Sequence, residues 1–565
     1  MKTKGDVQEF DVVVAGSGAG GLTVATVAAQ CGLKVIVVEK AGCFGGTTAY
    51  SGGVAWIPGH HHMAAVGVND DRASALEYLR NVLGNHYDAA KIEAYVDNGP
   101  KMLRYMEANT ALEFVAVPTP DYEPHHPGAS RYRGVLAREF DGRRLGAHLP
   151  LLRRTLPELT VFGSMQVAGA DIVPLRKAFR TMSGFKHTAA MTLRYAWQRL
   201  VHGRGTRLVS GNALAARLLR SALDAGVELW KDAPAQELVL EKDRVAGLTV
   251  LQGGRAIELR ARHGVVLATG GFGANAEMRR QFMPTPESHL SVQPAENVGD
   301  GIRMGTEVGA QVVTNNAANA IFIPVSAAPR KDGTLAKFPH IMIDRYMPGS
   351  ILVDGRGKRF VNEADSYQNV VLTMHKHGLG KAYMVASRAF LRKYGMGLAR
   401  PFPYPVRKWV RNGYLTEAPT IEALATRIGI DPVALRATVD RFNSHAVDGR
   451  DPDFARGADA HSRYRGDQEN TPNPSLGPIG AGPYYAMTVY PGDLSSVAGL
   501  NTDEHARVLD ADGAVVKGLY AVGLDMNSFT KGLYPAGGSS LGPAMTFGFI
   551  AARDIAQAAR SSIIG

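Results

Sequence analysis

The stretch that most constrains what this chain can fold into is residues 10–40, FDVVVAGSGAGGLTVATVAAQCGLKVIVVEK. Residues 12–15 form a continuous apolar run, the pattern of a strand buried on both faces in a parallel sheet. Gly16, Gly18 and Gly21 then spell GxGxxG, with Ser17, Ala19 and Gly20 between them, ahead of an apolar segment with the length of a helix. In such a loop the first glycine permits the turn and the second lets a pyrophosphate approach the backbone. The third lets helix pack closely on strand. The helix start turns its free N–H groups toward phosphate. Residues 35–38 read as a second strand, and Glu39 at its end, followed by Lys40, is placed to accept from a ribose diol. Strand, loop, helix, strand and acid in this order predict an α/β chain built on a Rossmann-type dinucleotide unit.

The continuation AGCFGGTTAYSGG chooses between dinucleotides. A second glycine-rich loop straight after the ribose acid suits FAD, since Gly45, Gly46, Thr47, Thr48, Ser51, Gly52 and Gly53 offer backbone and hydroxyl donors to a polar heterocycle. Two remote stretches agree. HGVVLATGGFG reads as a strand entering a turn at Thr269, Gly270 and Gly271, and KGLYAVGLD as a strand ending at Asp525, an acid able to hold the ribityl or pyrophosphate region. Ala235, Ser540 and Leu541 complete the expected cofactor contacts. No histidine or cysteine sits in an attachment motif, so FAD is expected to be non-covalent.

At 565 residues, two domains are the default expectation. The two cysteines, Cys31 and Cys43, suit neither a disulfide framework nor a metal site, which predicts a reducing, cytoplasmic setting. Residues 12–33 and 532–552 lack charge over roughly 20 residues each, but Gly and Pro interrupt both, so neither is expected to span a membrane. The net charge of +11 comes without a nucleic-acid motif, and no nucleic-acid partner is expected.

The set GTTAYSGG, LATGGFG, KRFVNE, GLYAVG and YPAGGSSLGPAMTFGFIAARD resembles the fumarate reductase/3-ketosteroid dehydrogenase flavoproteins over nearly the whole chain. Its GGTTAYSGGVAWIPG and Tyr-Pro-x-Gly-Gly stretches are similar to those of the 3-ketosteroid Δ1-dehydrogenases. The resemblance implies a discontinuous Rossmann-type FAD-binding domain, residues 1–292 and 472–565, with an inserted α+β substrate-capping domain at 293–471. It implies that Tyr534 and Gly538 hold a ketone carbonyl, that Tyr367 is the base and that Tyr122 assists it. The implied reaction is 1,2-desaturation of a 3-ketosteroid. Desaturation at the 4,5 position of a 5α-steroid, or of a simpler cyclic ketone such as cyclohexanone, stands as the alternative. The electron acceptor, a quinone or a dye-like molecule, is left open.

Relatives that act on dicarboxylates need arginine and histidine to hold them. Where a histidine pair would stand, this chain has Asp493, Ser495 and Ser496, and the C-terminal loop carries Tyr534 and no arginine. An uncharged site for a neutral ketone is therefore expected. No metal site is expected at His60, His61 and His62, because consecutive loop side chains converge poorly on one ion, nor at His125 and His126. Cys43 is expected to serve packing. Pro543 is expected to open the last helix. Residues 160–205 are rich in Met, Phe and Trp and in cations, and read either as a packed helical excursion or as an amphipathic surface segment touching the inner face of a membrane.

Overall fold

The computed structural model describes residues 7–283, 287–341 and 344–564, with side chains as far as Ser561. β1 (Val7–Ala15), α1 (Ala19–Gln30) and β2 (Val35–Val38) form in the order expected. β1 lies parallel to β2, with Val12 opposite Val35, and the last four residues of β1 are buried. On the far side of β1 runs Arg255–Leu267, then Val515–Ala521, and Glu228–Trp230 extends the sheet past β2, all of them parallel. The sheet thus draws strands from both ends of the chain, which makes this domain discontinuous. The last helix, Leu541–Ile564, crosses α1 so closely that a Cβ on Gly548 would meet the Gly20 carbonyl at 2.8 Å. It begins at Leu541 and holds Pro543 within its first turn, where a missing N–H breaks no helical bond.

A second sheet covers the carboxyl end of the first. Its path runs Leu335–Pro339, Ala320–Pro329, Tyr484–Ser496, Ala382–Ser387 and Ser350–Val353, antiparallel throughout, with Tyr484–Ser496 central. That central strand falls within the 472–565 portion which the sequence assigns to FAD binding. Its Tyr485, Met487 and Val489 belong to the core of the inserted domain, so the chain rejoins the first sheet after Ser496.

Residues 160–205 form helices Gly169–Arg176 and Met182–His202. The two readings of this segment are not exclusive. Met191 and Tyr195 pack with Val161 and Met165 in a small cluster, while Leu193, Trp197 and Leu200 on the other face are 70%, 65% and 80% exposed. Among the described residues, no helix is long and apolar enough to cross a membrane. Residues 12–33 hold the end of β1, the glycine loop and α1, and residues 532–552 a loop and the start of the last helix.

Candidate active site

One cavity of about 840 Å³ runs from the glycine loop to a group of phenols. The three loop glycines have separate roles. Gly16 stands at φ +110, and a Cβ on it would sit 2.0 Å from the Ala268 carbonyl; one on Gly21 would strike the Gly16 carbonyl at 2.1 Å. Gly18 meets nothing nearer than Thr48 Oγ1 at 3.9 Å, which leaves its backbone open to the cavity as pyrophosphate binding requires. Ser17, Ala19, Gly20, Lys40, Gly46, Thr47, Thr48, Ser51, Gly52, Gly53, Ala235, Thr269, Gly270, Ser540 and Leu541 also line the cavity. This donor set, with a helix N-terminus behind the loop, fits FAD.

Three expected cofactor residues stand behind the wall instead. Gly45 donates to Ser17 Oγ at 3.0 Å. Asp525 is buried and spends both oxygens on the turn, accepting from Thr269 N at 2.5 Å, Thr269 Oγ1 at 3.0 Å and Gly271 N at 3.0 Å. Burial raises its pKa to about 6. The geometry therefore gives it a role in holding the turn that lines the cavity. Gly271 is fixed in the same turn, with Ser496 beneath it.

Glu39 lines the cavity and accepts from Ser17 Oγ at 2.5 Å and Ala41 N at 2.9 Å, which holds its carboxylate at the end of β2. Glu39→Ala is expected to weaken FAD binding about 10- to 100-fold, the usual worth of hydrogen bonds to a charged acceptor. Flavin-to-protein absorbance after gel filtration, with a fluorescence titration of the apoprotein, reads this out. Unchanged affinity would place the ribose elsewhere.

At the other end, the rings of Tyr122, Tyr367 and Tyr534 stand 5.5 to 5.8 Å apart, centre to centre. Each comes from a different stretch, and hydrogen bonds lock the stretches together. Tyr122 N donates to the Pro535 carbonyl at 2.8 Å. Its neighbour Asp121, buried, accepts from Trp56 Nε1 at 2.8 Å and Arg133 Nη1 at 2.7 Å. Tyr367 opens helix Tyr367–Lys376, capped by Ser366, and Gln368 beside it donates to the Gly532 carbonyl at 2.8 Å. The Tyr367 ring stands against both other phenols, and Tyr534 and Gly538 line the cavity together. Gly538 stands at φ +105, and a Cβ on it would lie 2.7 Å from the Val54 carbonyl, so no other residue fits. Burial raises the pKa of all three phenols, that of Tyr367 well above the ordinary value; for Tyr122 the nearby Arg465 charge opposes the shift.

Arg465 corrects the expectation of an uncharged site. The two segments read for charge carry no arginine, yet the cavity wall includes Arg465 and Arg176, both from outside those segments. Asp493 lies behind the wall, 2.6 Å from His289 Nε2, while Ser495 does line the cavity. Asn297 was also missed; its amide donates to Thr47 Oγ1 at 2.9 Å and the Gly270 carbonyl at 2.7 Å, tying two cofactor loops together. Elsewhere, the argument that consecutive histidines cannot converge fails. His61 and His62 bring their Nε2 atoms to 3.0 and 2.9 Å from one Glu107 oxygen, and His60 turns away to the Tyr132 carbonyl. Burial pushes the Cys43 thiol up, as suits packing.

The family described as FAD binding domain matches residues 11–541. The chain belongs to it. A 4-oxocyclohex-2-ene-1-carboxylate 5-dehydrogenase of Sinomonas cyclohexanicum is 37% identical over 97% of this chain and 94% of its own length. A 3-oxosteroid 1-dehydrogenase of Mycolicibacterium smegmatis is 36% identical over 98% of each chain. The crystal structure of 3-ketosteroid delta1-dehydrogenase from Sterolibacterium denitrificans, in complex with 1,4-androstadiene-3,17-dione, superposes with a TM-score of 0.90 at 34% identity, covering 97% of this chain and 100% of that one. This member of the FAD-binding family is an FAD-dependent oxidoreductase similar to these ketone dehydrogenases.

Proposed function

We propose that the enzyme removes two hydrogens from the carbon–carbon bond beside the carbonyl of a cyclic ketone, in the leading reading carbons 1 and 2 of a 3-ketosteroid. The observation that carries this is the meeting of three phenols and the Gly538 N–H at one end of the cofactor cavity. The Tyr534 hydroxyl and the Gly538 N–H both line this end of the cavity and act as the two donors to the carbonyl oxygen. Tyr367, its ring 5.5 Å from that of Tyr534, then faces the carbon next to that carbonyl and takes its proton, leaving an enolate held by the same two donors. Tyr122, its ring 5.8 Å from that of Tyr367, is the phenol that assists that base. Bound FAD supplies the acceptor for the hydride lost from the adjacent carbon. The sum is one proton to Tyr367, one hydride to the cofactor and one new double bond in the ring.

A single-ring ketone is the second reading, favoured by the 37% identity to the cyclohexenone-carboxylate enzyme. Anaerobic mixing of the oxidised enzyme with steroid and cyclohexanone substrates, followed at the flavin band and by product mass, tests both. A yellow protein that no ketone bleaches would refute the proposal.

The apolar face of Met182–His202 also supports a surface contact with an anionic membrane. Leu193, Trp197 and Leu200 project from it, Phe179 precedes it at 66% exposure, and Lys186, Arg194 and Arg199 lie among them. Gly169–Arg176 lines the cavity, so deleting the whole segment would damage the site. Leu193→Asp with Leu200→Asp leaves the buried face intact and is expected to abolish cosedimentation with phosphatidylglycerol vesicles. Wild-type protein that ignores such vesicles would rule the contact out.

A further inference from the structure

Four basic side chains border the cavity. Lys40 pairs with Asp300 at 2.9 Å and Arg153 with Glu296 at 3.1 Å, while Arg176 lies over the Tyr394 ring, 5.6 Å from its centre. Arg465 also lies over a ring, 5.9 Å from the centre of Tyr464, but is placed otherwise. It ends helix Ala460–Arg465, whose His461 packs its ring on Tyr122, centroids 4.5 Å apart. Protein encloses it except where it faces the cavity, and the groups around its charge are the phenols of Tyr122, Tyr346, Tyr464 and Tyr367. Among the described residues no carboxylate pairs with it, and its buried Nε has no hydrogen-bond partner. Enclosed arginines elsewhere among the described residues are held by acceptors: Arg133 by Asp70 and Asp121, Arg359 by Glu363 and Asp451, Arg456 by Glu363, Arg345 by the carbonyls of His340, Glu363 and Asp365, and Arg204 by that of Leu149.

A charge taken out of water without a counter-charge is costly, and a fold keeps one where an anion arrives to meet it. The planar guanidinium fork matches a carboxylate with two parallel hydrogen bonds. We propose that Arg465 is a specificity-determining residue that binds a carboxylate carried by the ketone substrate. The inference rests on the reading of this cavity as a ketone site. With the carbonyl taken at Tyr534 and Gly538, the ring lies against Tyr367 and Tyr122, and a carboxylate across the ring from the carbonyl meets the guanidinium beside those two phenols. The substrate class is then a cyclic keto acid, and the selection acts through charge as well as ring shape.

The test compares 4-oxocyclohexanecarboxylate with its methyl ester, two ketones alike in ring and different in charge. Wild-type kcat/KM, read from anaerobic flavin bleaching, is expected to favour the acid by about 10- to 100-fold, the worth of charge-assisted hydrogen bonds. Arg465→Met is expected to bring acid and ester within a factor of about 3, and Arg465→Lys to restore part of the preference. Cyclohexanecarboxylate, which has no ketone to oxidise, is expected to bind wild type by calorimetry and not Arg465→Met, with thermal midpoints showing that both are folded. The wild-type comparison needs no variant: equal use of acid and ester overturns the proposal. So does Arg465→Met slowing acid and ester by the same factor, because the charge then serves the phenol base and not the substrate. Reduction by a neutral steroid ketone, without preference for the acid, overturns this inference and spares the ketone reading. Failure of every ketone to reduce the flavin overturns both.

Discussion

Tyr367→Phe is expected to lower the rate of flavin reduction by ketone about 10²- to 10⁴-fold, the usual contribution of a positioned base, while the ketone still binds. The substitution removes only an oxygen, so the ring still packs against Tyr122 and Tyr534 and the carbonyl grip is untouched. Stopped-flow bleaching over a range of ketone concentrations separates the two quantities: the limiting rate falls and the half-saturating concentration moves little. A second signature comes from pH. Burial holds the Tyr367 hydroxyl well above the ordinary tyrosine value of about 10, so it is protonated at neutral pH and the base form is scarce. Because the base form is the deprotonated one, it gains tenfold with each pH unit below that pKa. The wild-type rate therefore rises with pH across the neutral and mildly alkaline range, and the variant's residual rate does not. Near wild-type turnover by Tyr367→Phe would remove this residue from the mechanism.

Tyr534→Phe is expected to cost roughly 10²- to 10³-fold in the same rate, as loss of one donor does in other oxyanion sites. Here binding weakens too, because the hydroxyl that stabilises the enolate also holds the ground-state carbonyl. The contrast between the variants is the informative part: one loses rate alone, the other rate and affinity together. Exchange of the α-hydrogen with heavy water separates them again. Under conditions that stall hydride transfer, Tyr534→Phe retains a slow exchange and Tyr367→Phe none. Equal loss of affinity in both would mean that the carbonyl sits between the two phenols and that their roles are shared.

What could be read from the sequence follows from where each requirement is written. The glycine loop was legible because its demands fall on backbone: Gly16 and Gly21 have no room for a Cβ, and only glycine answers that. Tyr122, Tyr367 and Tyr534 were legible through family resemblance; spacing alone does not say that three remote tyrosines meet. Asp525 was found, but its bonds to the Thr269–Gly271 turn were not, since an acid at the end of a strand carries no mark of its protein partners. The same ambiguity moved Tyr484–Ser496 between sheets, because an apolar strand carries no mark of its partners. Arg465 stayed hidden in a short basic helix, HSRYR, whose pattern is that of a solvated surface. Its place beside the cavity comes from the packing of that helix on Tyr122 through His461.

Tyr367 stands on the inserted domain, whereas Tyr122 and Tyr534 stand on the FAD-binding part of the chain. The proton-removing machinery is therefore not carried by either half. Any gap between them wide enough to pass a ring system also pulls Tyr367 away from Tyr122 and Tyr534. With the roles proposed for these tyrosines, cargo exchange and deprotonation then exclude each other in time.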